Sequence, residues 1–211
     1  MNSKKSLFIE FLALFICIPI GLALLIPIWI KISVVVIGFG YLLYVLKGLG
    51  LLKFQIKPMI PLTSFWKRVG ITFMLIAIVT SLYVWFVKPE ALFYIPLNKP
   101  LLFVTILFVY SVFSVWPQEL MYRTFFFERY KALFQNRKLL VFVNAFVFSL
   151  AHLFFKNTLV LVLTFVGGVL FGLTFLKFKS TTLVSIEHAL YGNWLFTVGM
   201  RQMLAFPGMD V

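Results

Sequence analysis

The chain has 211 residues, of which 63% are hydrophobic, 19% aromatic and 12% charged, with a mean hydropathy of +1.06. A water-soluble domain is about 45–50% apolar and about 25% charged, so this composition excludes an ordinary soluble globule. Twelve glycines, nine prolines and one cysteine exclude collagen-like, low-complexity and disulfide-scaffold classes, and the formal charge of +13 sits at the ends of apolar runs rather than in a basic stripe with interleaved aromatics, which argues against nucleic acid as a partner.

A helix needs about 20 residues to cross the ~30 Å hydrocarbon layer. Apolar runs at 7–24, 26–46, 69–87, 101–116, 139–155, 158–178 and 183–200 predict seven spans, hence an all-α, polytopic transmembrane helical bundle. The expected organisation is three N-terminal spans and a cytoplasmic loop over 1–100, a core of four membrane helices over 101–200, and a short tail over 201–211.

Lys4 and Lys5 before the first run resemble a signal peptide, but no small-x-small cleavage site follows and the run is long enough to remain as an anchor. Cys17 follows the bulky Phe15 and Ile16, unlike a lipoprotein processing site, and is expected to be a buried, inert thiol. Between Lys47 and Arg68, the residues Phe54, Ile56, Met59 and Trp66 lie among lysines and predict a loop on the membrane surface.

The fourth run does not stop cleanly; after Pro117 it continues to Phe134. One helix over 101–134 would be about 50 Å long, so it must tilt, kink or protrude. Pro117 is the expected kink, because it lacks a backbone donor and clashes with the preceding turn.

With the N-terminus inside, the cytoplasmic side collects Lys4, Lys5, Lys47, Lys53, Lys57, Lys67, Arg68, Arg129, Lys131, Arg137, Lys138, Lys177 and Lys179. The other side keeps Lys31, Lys88, Lys99, Lys156 and Arg201. Thirteen against five, with Arg123 counted as intramembrane, satisfies the positive-inside rule, and dividing 101–134 into two spans would undo it. Absence of organelle signals and compact size point to a bacterial inner membrane.

An ionisable side chain at the centre of a membrane helix costs about 2.5–3.5 kcal/mol, so each needs a partner or a purpose. Here they are Glu10, Gln118, Glu119, Arg123, His152, Glu187 and His188, counting the polar glutamine, with Asn144 and Asn193 as companions. Glu119 lies 17 residues before the turn at Asn136 and His152 lies 16 after it, which in a helical hairpin gives both a depth of roughly 24–25 Å. His188 lies nine residues beyond the turn at Lys179, at roughly 13 Å, and tilt would absorb much of the difference. The spacing therefore predicts a cluster of Gln118, Glu119, His152, Glu187 and His188. Arg123, one turn after Glu119 on the same face, is placed to neutralise it. A carboxylate in an apolar pocket activates water, and an imidazole or amide holds a developing oxyanion. Two histidines and a glutamate (His152, His188, Glu119) are also a zinc set, although the H-E-x-x-H spacing is absent.

These residues resemble a family. Gln118-Glu119-Leu120-Met121-Tyr122-Arg123 is similar to the E-E-x-x-x-R motif of the CAAX prenyl protease and bacteriocin-processing (CPBP) intramembrane proteases. Phe148 through His152 matches their F-x-x-x-H, and His188 followed by Asn193 resembles their H-x-x-x-N, all within about 100–200. The resemblance implies a multi-pass endopeptidase in which a motif glutamate activates water and the two histidines and the asparagine hold the scissile carbonyl. It also implies a membrane-embedded or lipidated peptide substrate, with no cofactor needed and zinc as the alternative.

Two positions depart from the pattern. Gln118 stands at the first motif glutamate, and an amide is no general base. Gly192 stands four residues after His188, with Asn193 about 100° further around the helix. The expected site is accordingly Glu119, His152, His188, Glu187 and Asn193, supported by Gln118, Arg123 and Phe148, with Glu119 or Glu187 in the basic role. A catalytically inactive relative acting as a membrane binding or scaffold protein is the alternative. A proton-coupled carrier is a third reading, against which stands the lack of an internal repeat or paired broken helices.

Overall fold

The structure is a computed structural model that describes residues 3–52 and 61–200. Among the described residues the ordered elements are helices, with no strand. The principal ones are α1 (Lys4–Ala23), α2 (Ile28–Gly48), α3 (Leu62–Val87), α4 (Pro100–Tyr130), α5 (Arg137–Leu150), α6 (Thr158–Phe178) and α7 (Thr181–Val198). Helices α1 to α4, α6 and the stretch Arg137–Phe155 are long and apolar enough to cross a bilayer, which makes six among the described residues. The seventh expected span forms as α7, but Glu187, His188 and Asn193 lower its hydropathy and it stands outside those six.

Exposure is the inverse of a soluble protein. Trp29, Val36, Leu75, Trp85, Phe108 and Phe113 are exposed, whereas Glu119, Arg123, Asn144 and Glu187 are buried. Hydrocarbon suits the first set, and the second must be satisfied within the protein.

Asn136 caps α5 through its side-chain oxygen, which accepts from the Lys138 and Leu139 amides, and so confirms the expected turn. Asn157 caps α6 and Ser180 caps α7 in the same way. The 101–134 run forms a single helix to Tyr130, interrupted by π-turns at Tyr110–Val115 and Leu120–Phe125. A proline ring crowds the carbonyl four residues back, and for Pro117 that residue, Phe113, lies inside the first π-turn. Pro19 repeats the pattern, with Phe15 inside the π-turn Ala13–Cys17. The widened turn is how each helix accommodates its proline.

Two sequence expectations change, and a third falls on residues outside those described. Helix α3 begins at Leu62, so Trp66, Lys67 and Arg68 are helical rather than loop residues. Cys17 is exposed, not buried, because α1 turns Leu7, Phe11, Phe15 and Pro19 inward at four-residue spacing and leaves Cys17 outside that face. Lys53, Phe54, Ile56, Lys57 and Met59 of the expected surface loop, and the tail over 201–211 with Arg201, lie outside the described residues.

The chain packs as two compact units, Met1–Phe54 with Leu120–Leu173, and Gln55–Glu119 with Thr174–Val211. In the first, Phe11 and Phe15 of α1 meet Phe126 and Tyr130 of α4 edge to face. Beside them the Glu10 carboxylate accepts from Arg129 at 2.9 and 2.7 Å, from the Tyr41 hydroxyl at 2.8 Å and from the Tyr130 hydroxyl at 3.1 Å. Glu10, expected to need a partner, thus has three. Helices α5 and α6 approach closely where a Cβ on Gly168 would lie 2.8 Å from the Ala145 Cα.

In the second unit, Phe65 of α3 packs on Phe178 and Phe73 on Trp194 of α7. The Trp194 ring nitrogen donates to Thr80 at 2.9 Å. Gly199 ends α7 with φ +104, and a Cβ there would overlap the Ala91 carbonyl.

Candidate active site

Glu119 and His188 meet in the second unit. Glu119 ends the helical turn Trp116–Glu119, buried between the two π-turns of α4, and His188 lies in the middle of α7. His188 Nδ1 stands 2.7 Å from Glu119 Oε1, with the carboxylate side chain fully buried. With the carboxylate accepting, a neutral imidazole carries its proton on Nδ1 and its lone pair on Nε2.

Three polar groups of α4 lie at four-residue spacing, Tyr110, Ser114 and Gln118, and share a face. The Tyr110 ring is edge-on to the His188 imidazole, with centroids 6.0 Å apart. The Gln118 amide donates to Ser114 Oγ at 2.8 Å, and its own oxygen is buried without a hydrogen-bond partner. Asn193 donates to Ser111 Oγ at 3.0 Å, and its Oδ1 is likewise unpartnered. Both amides are therefore held by serines with a carbonyl oxygen left to accept.

Glu187 has its own hydrogen-bond partner. Its carboxylate accepts from the Tyr191 hydroxyl one turn on, at 3.1 Å, and faces Thr174 and the Arg68 guanidinium. Arg68 in turn donates to the Thr174 hydroxyl. Adjacent helix residues point about 100° apart, which is why Glu187 and His188 acquire different partners.

His152, Arg123 and Phe148 belong to the first unit. Helix α5 ends at Leu150, and His152 follows in a tighter turn whose amide bonds to the Ser149 carbonyl. The His152 Nδ1 donates to the Phe148 carbonyl at 2.8 Å, which again leaves the lone pair of a neutral ring on Nε2. Its ring packs against Phe148 and stacks on Phe155. Arg123 is fully buried, donates to Asn144 Oδ1 at 3.1 Å, and lies over the Phe148 ring at 4.7 Å. Asn144 donates onward to the Tyr122 carbonyl within the π-turn at 2.6 Å. Glu119 and Arg123 thus each have partners in their own unit.

Among the described residues no group of three or more His, Cys, Asp or Glu side chains is arranged to hold a metal ion. The chemistry at hand is a carboxylate–imidazole pair in an apolar surrounding, suited to moving a proton to and from water.

Residues 100–194 match the family described as Rce1-like, type II CAAX prenyl endopeptidase. The similarity to that family covers a little under half of the chain. The match runs from α4 to Trp194 in α7 and includes Glu119, Arg123, Phe148, His152, His188 and Asn193, in agreement with the motif resemblance. The three helices before it lie outside the matched range. Comparison with curated proteins and with solved structures gave no match. Six apolar helices and an Rce1-like segment make the chain an integral, multi-pass membrane protein.

The serines that hold the two amides, the Arg68–Thr174–Tyr191 set around Glu187, and Tyr110 were not among the residues expected from sequence. The 110, 114, 118 spacing on an otherwise apolar helix is the signal that marks the α4 face. Nothing in the sequence marks Arg68, which is indistinguishable there from a topology charge.

Proposed function

We propose that the protein is an intramembrane endopeptidase of the CAAX-protease-like type, acting on a membrane-embedded or lipidated peptide. The observation that carries this reading is the 2.7 Å contact between the buried Glu119 carboxylate and His188, within a segment of a peptidase family. Glu119 orients the imidazole and the pair takes a proton from water. The water oxygen then forms a bond to the scissile carbonyl carbon. The carbon–nitrogen bond breaks as the same proton passes to the leaving amine, giving a carboxylic acid and an amine with no redox change. Gln118 and Asn193 offer amide oxygens that accept a hydrogen bond and so orient the water, and His152 assists on the strength of its motif. Glu187 is assigned to the Tyr191–Thr174–Arg68 set rather than to the base. The charge count supports a cytoplasmic N-terminus, and a bacterial inner membrane is the location we infer from compact size and the absence of organelle signals.

The test is proteolysis by purified full-length protein in lipid nanodiscs, on a panel of farnesylated and transmembrane peptides. Wild type should cleave at least one, and Glu119→Gln and His188→Ala should not. Full activity in Glu119→Gln would overturn the assignment. One observation favours a second reading, a non-catalytic membrane binding protein: the first position of the carboxylate motif is an amide bonded to Ser114. A wild-type protein that binds a farnesylated peptide and cleaves nothing would establish that alternative.

A further inference from the structure

Tyr110 opens the first π-turn of α4, and its ring is clamped between two residues of α7. His188 meets one part at 6.0 Å with planes at 83°, and Phe196 another at 4.9 Å with planes at 81°. Gly192 lies midway between those two residues. A Cβ built on Gly192 would overlap the Tyr110 hydroxyl and the ring edge that carries it, so no side chain other than hydrogen leaves this phenol its place. Residues 188 and 192 are one turn apart on one face of α7. The hydroxyl therefore fills the position that a side chain one turn beyond the imidazole would otherwise occupy.

We propose that the Tyr110 hydroxyl is a third functional group of the Glu119–His188 site, donating a hydrogen bond to the substrate carbonyl oxygen as it becomes an oxyanion. This rests on the peptidase reading above. The phenol keeps its proton throughout; it stabilises charge that develops in the transition state and takes no part in the bond exchange. Packing on two rings fixes the donor before substrate arrives, and a donor that needs no reorganisation contributes most to such a step. Gly192 is the element of α7 that admits it.

The experiment uses full-length protein in nanodiscs and a farnesylated peptide with a fluorophore and quencher on either side of the bond before its last three residues. Tyr110→Phe keeps the ring and removes only the hydroxyl. The expected result is a fall in kcat of about 10²- to 10³-fold with KM within about twofold, the signature of a lost oxyanion donor. Gly192→Ala should lose as much, by displacing the ring. Nitrogen-15 spectra of the two histidines, with His188→Ala used for assignment, give a readout independent of turnover. The His188 signals should stay near wild type in Tyr110→Phe and move in Gly192→Ala. Wild-type kcat in Tyr110→Phe, beside an inactive Glu119→Gln, would overturn this proposal alone and leave Tyr110 a packing residue. A wild-type protein that does not cleave, or a fully active Glu119→Gln, would overturn the peptidase reading and this proposal with it.

Discussion

Glu119 Oε1 and His188 Nδ1, separated by 69 positions in the chain, are 2.7 Å apart in a surrounding where the carboxylate has no exposed surface. Hydrogen bonding to the anion offsets part of the cost of burying it, and the imidazole gains a fixed tautomer. Removing either partner should cost far more activity than stability.

For catalysis, Glu119→Gln and His188→Ala are expected to lower kcat/KM by about 10²-fold or more, the range for a general base and its orienting partner. Glu187→Gln should retain activity within about tenfold, because its partners are Tyr191, Thr174 and Arg68. Steady-state cleavage with all three variants checks both statements. An inactive Glu187→Gln beside an active Glu119→Gln would exchange their roles.

Glu10 and Arg129 form a structural clamp in the first unit. Glu10→Gln leaves the Arg129 guanidinium without its ion partner in a site where both side chains are mostly buried. Destabilisation of about 3 kcal/mol is expected for breaking such a pair from one side. Thermal unfolding in detergent should show a lower midpoint, while turnover per folded molecule stays at the wild-type level.

Asn144 bridges Arg123 to the Tyr122 carbonyl. Asn144→Leu is close in volume but satisfies neither group, so a loss of about 1–3 kcal/mol per abandoned partner is expected. The same unfolding assay measures it, and a stability equal to wild type would show that the bridge is dispensable.

Gly168 lies at the crossing of α5 and α6, against the Ala145 backbone. Gly168→Leu must push the helices apart or refuse to fold, with an expected cost of about 1–3 kcal/mol or more. Gly70 has open space at its Cβ position, so Gly70→Ala is the matched control and should be silent.

Topology is checked by single-cysteine labelling in a Cys17→Ser background. A cysteine at Lys131 should react only after the cytoplasmic side is opened, and one at Glu90 should react from outside. The reverse pattern would contradict the charge asymmetry from which the orientation is read.

Much of the fold and part of the site were legible in the residue pattern. The apolar runs gave the helices, Asn136 gave the turn before α5, and the rarity of polar groups inside those runs marked seven positions, Glu119 and His188 among them. What failed did so for identifiable reasons. Cys17 is apolar enough to be buried, yet four-residue spacing puts Phe11 and Phe15 on the inward face instead. Arg68 and Arg129 read as topology charges, because a sequence does not show that their guanidiniums turn back toward Thr174 and Glu10. The Glu119–His188 contact was anticipated only as shared membership of a five-residue cluster, with His188 placed shallower until tilt is allowed for.

By itself the sequence determined that this is a helical membrane chain with an Rce1-like segment, because hydropathy and motif order are local properties read along one line. Only the tertiary structure decided which oxygen meets which nitrogen, that Glu187 belongs to Arg68, Thr174 and Tyr191, and that Gly192 is the space in which Tyr110 sits. Those are matters of helix rotation, where one residue's difference turns a side chain by about 100° and changes its whole set of neighbours.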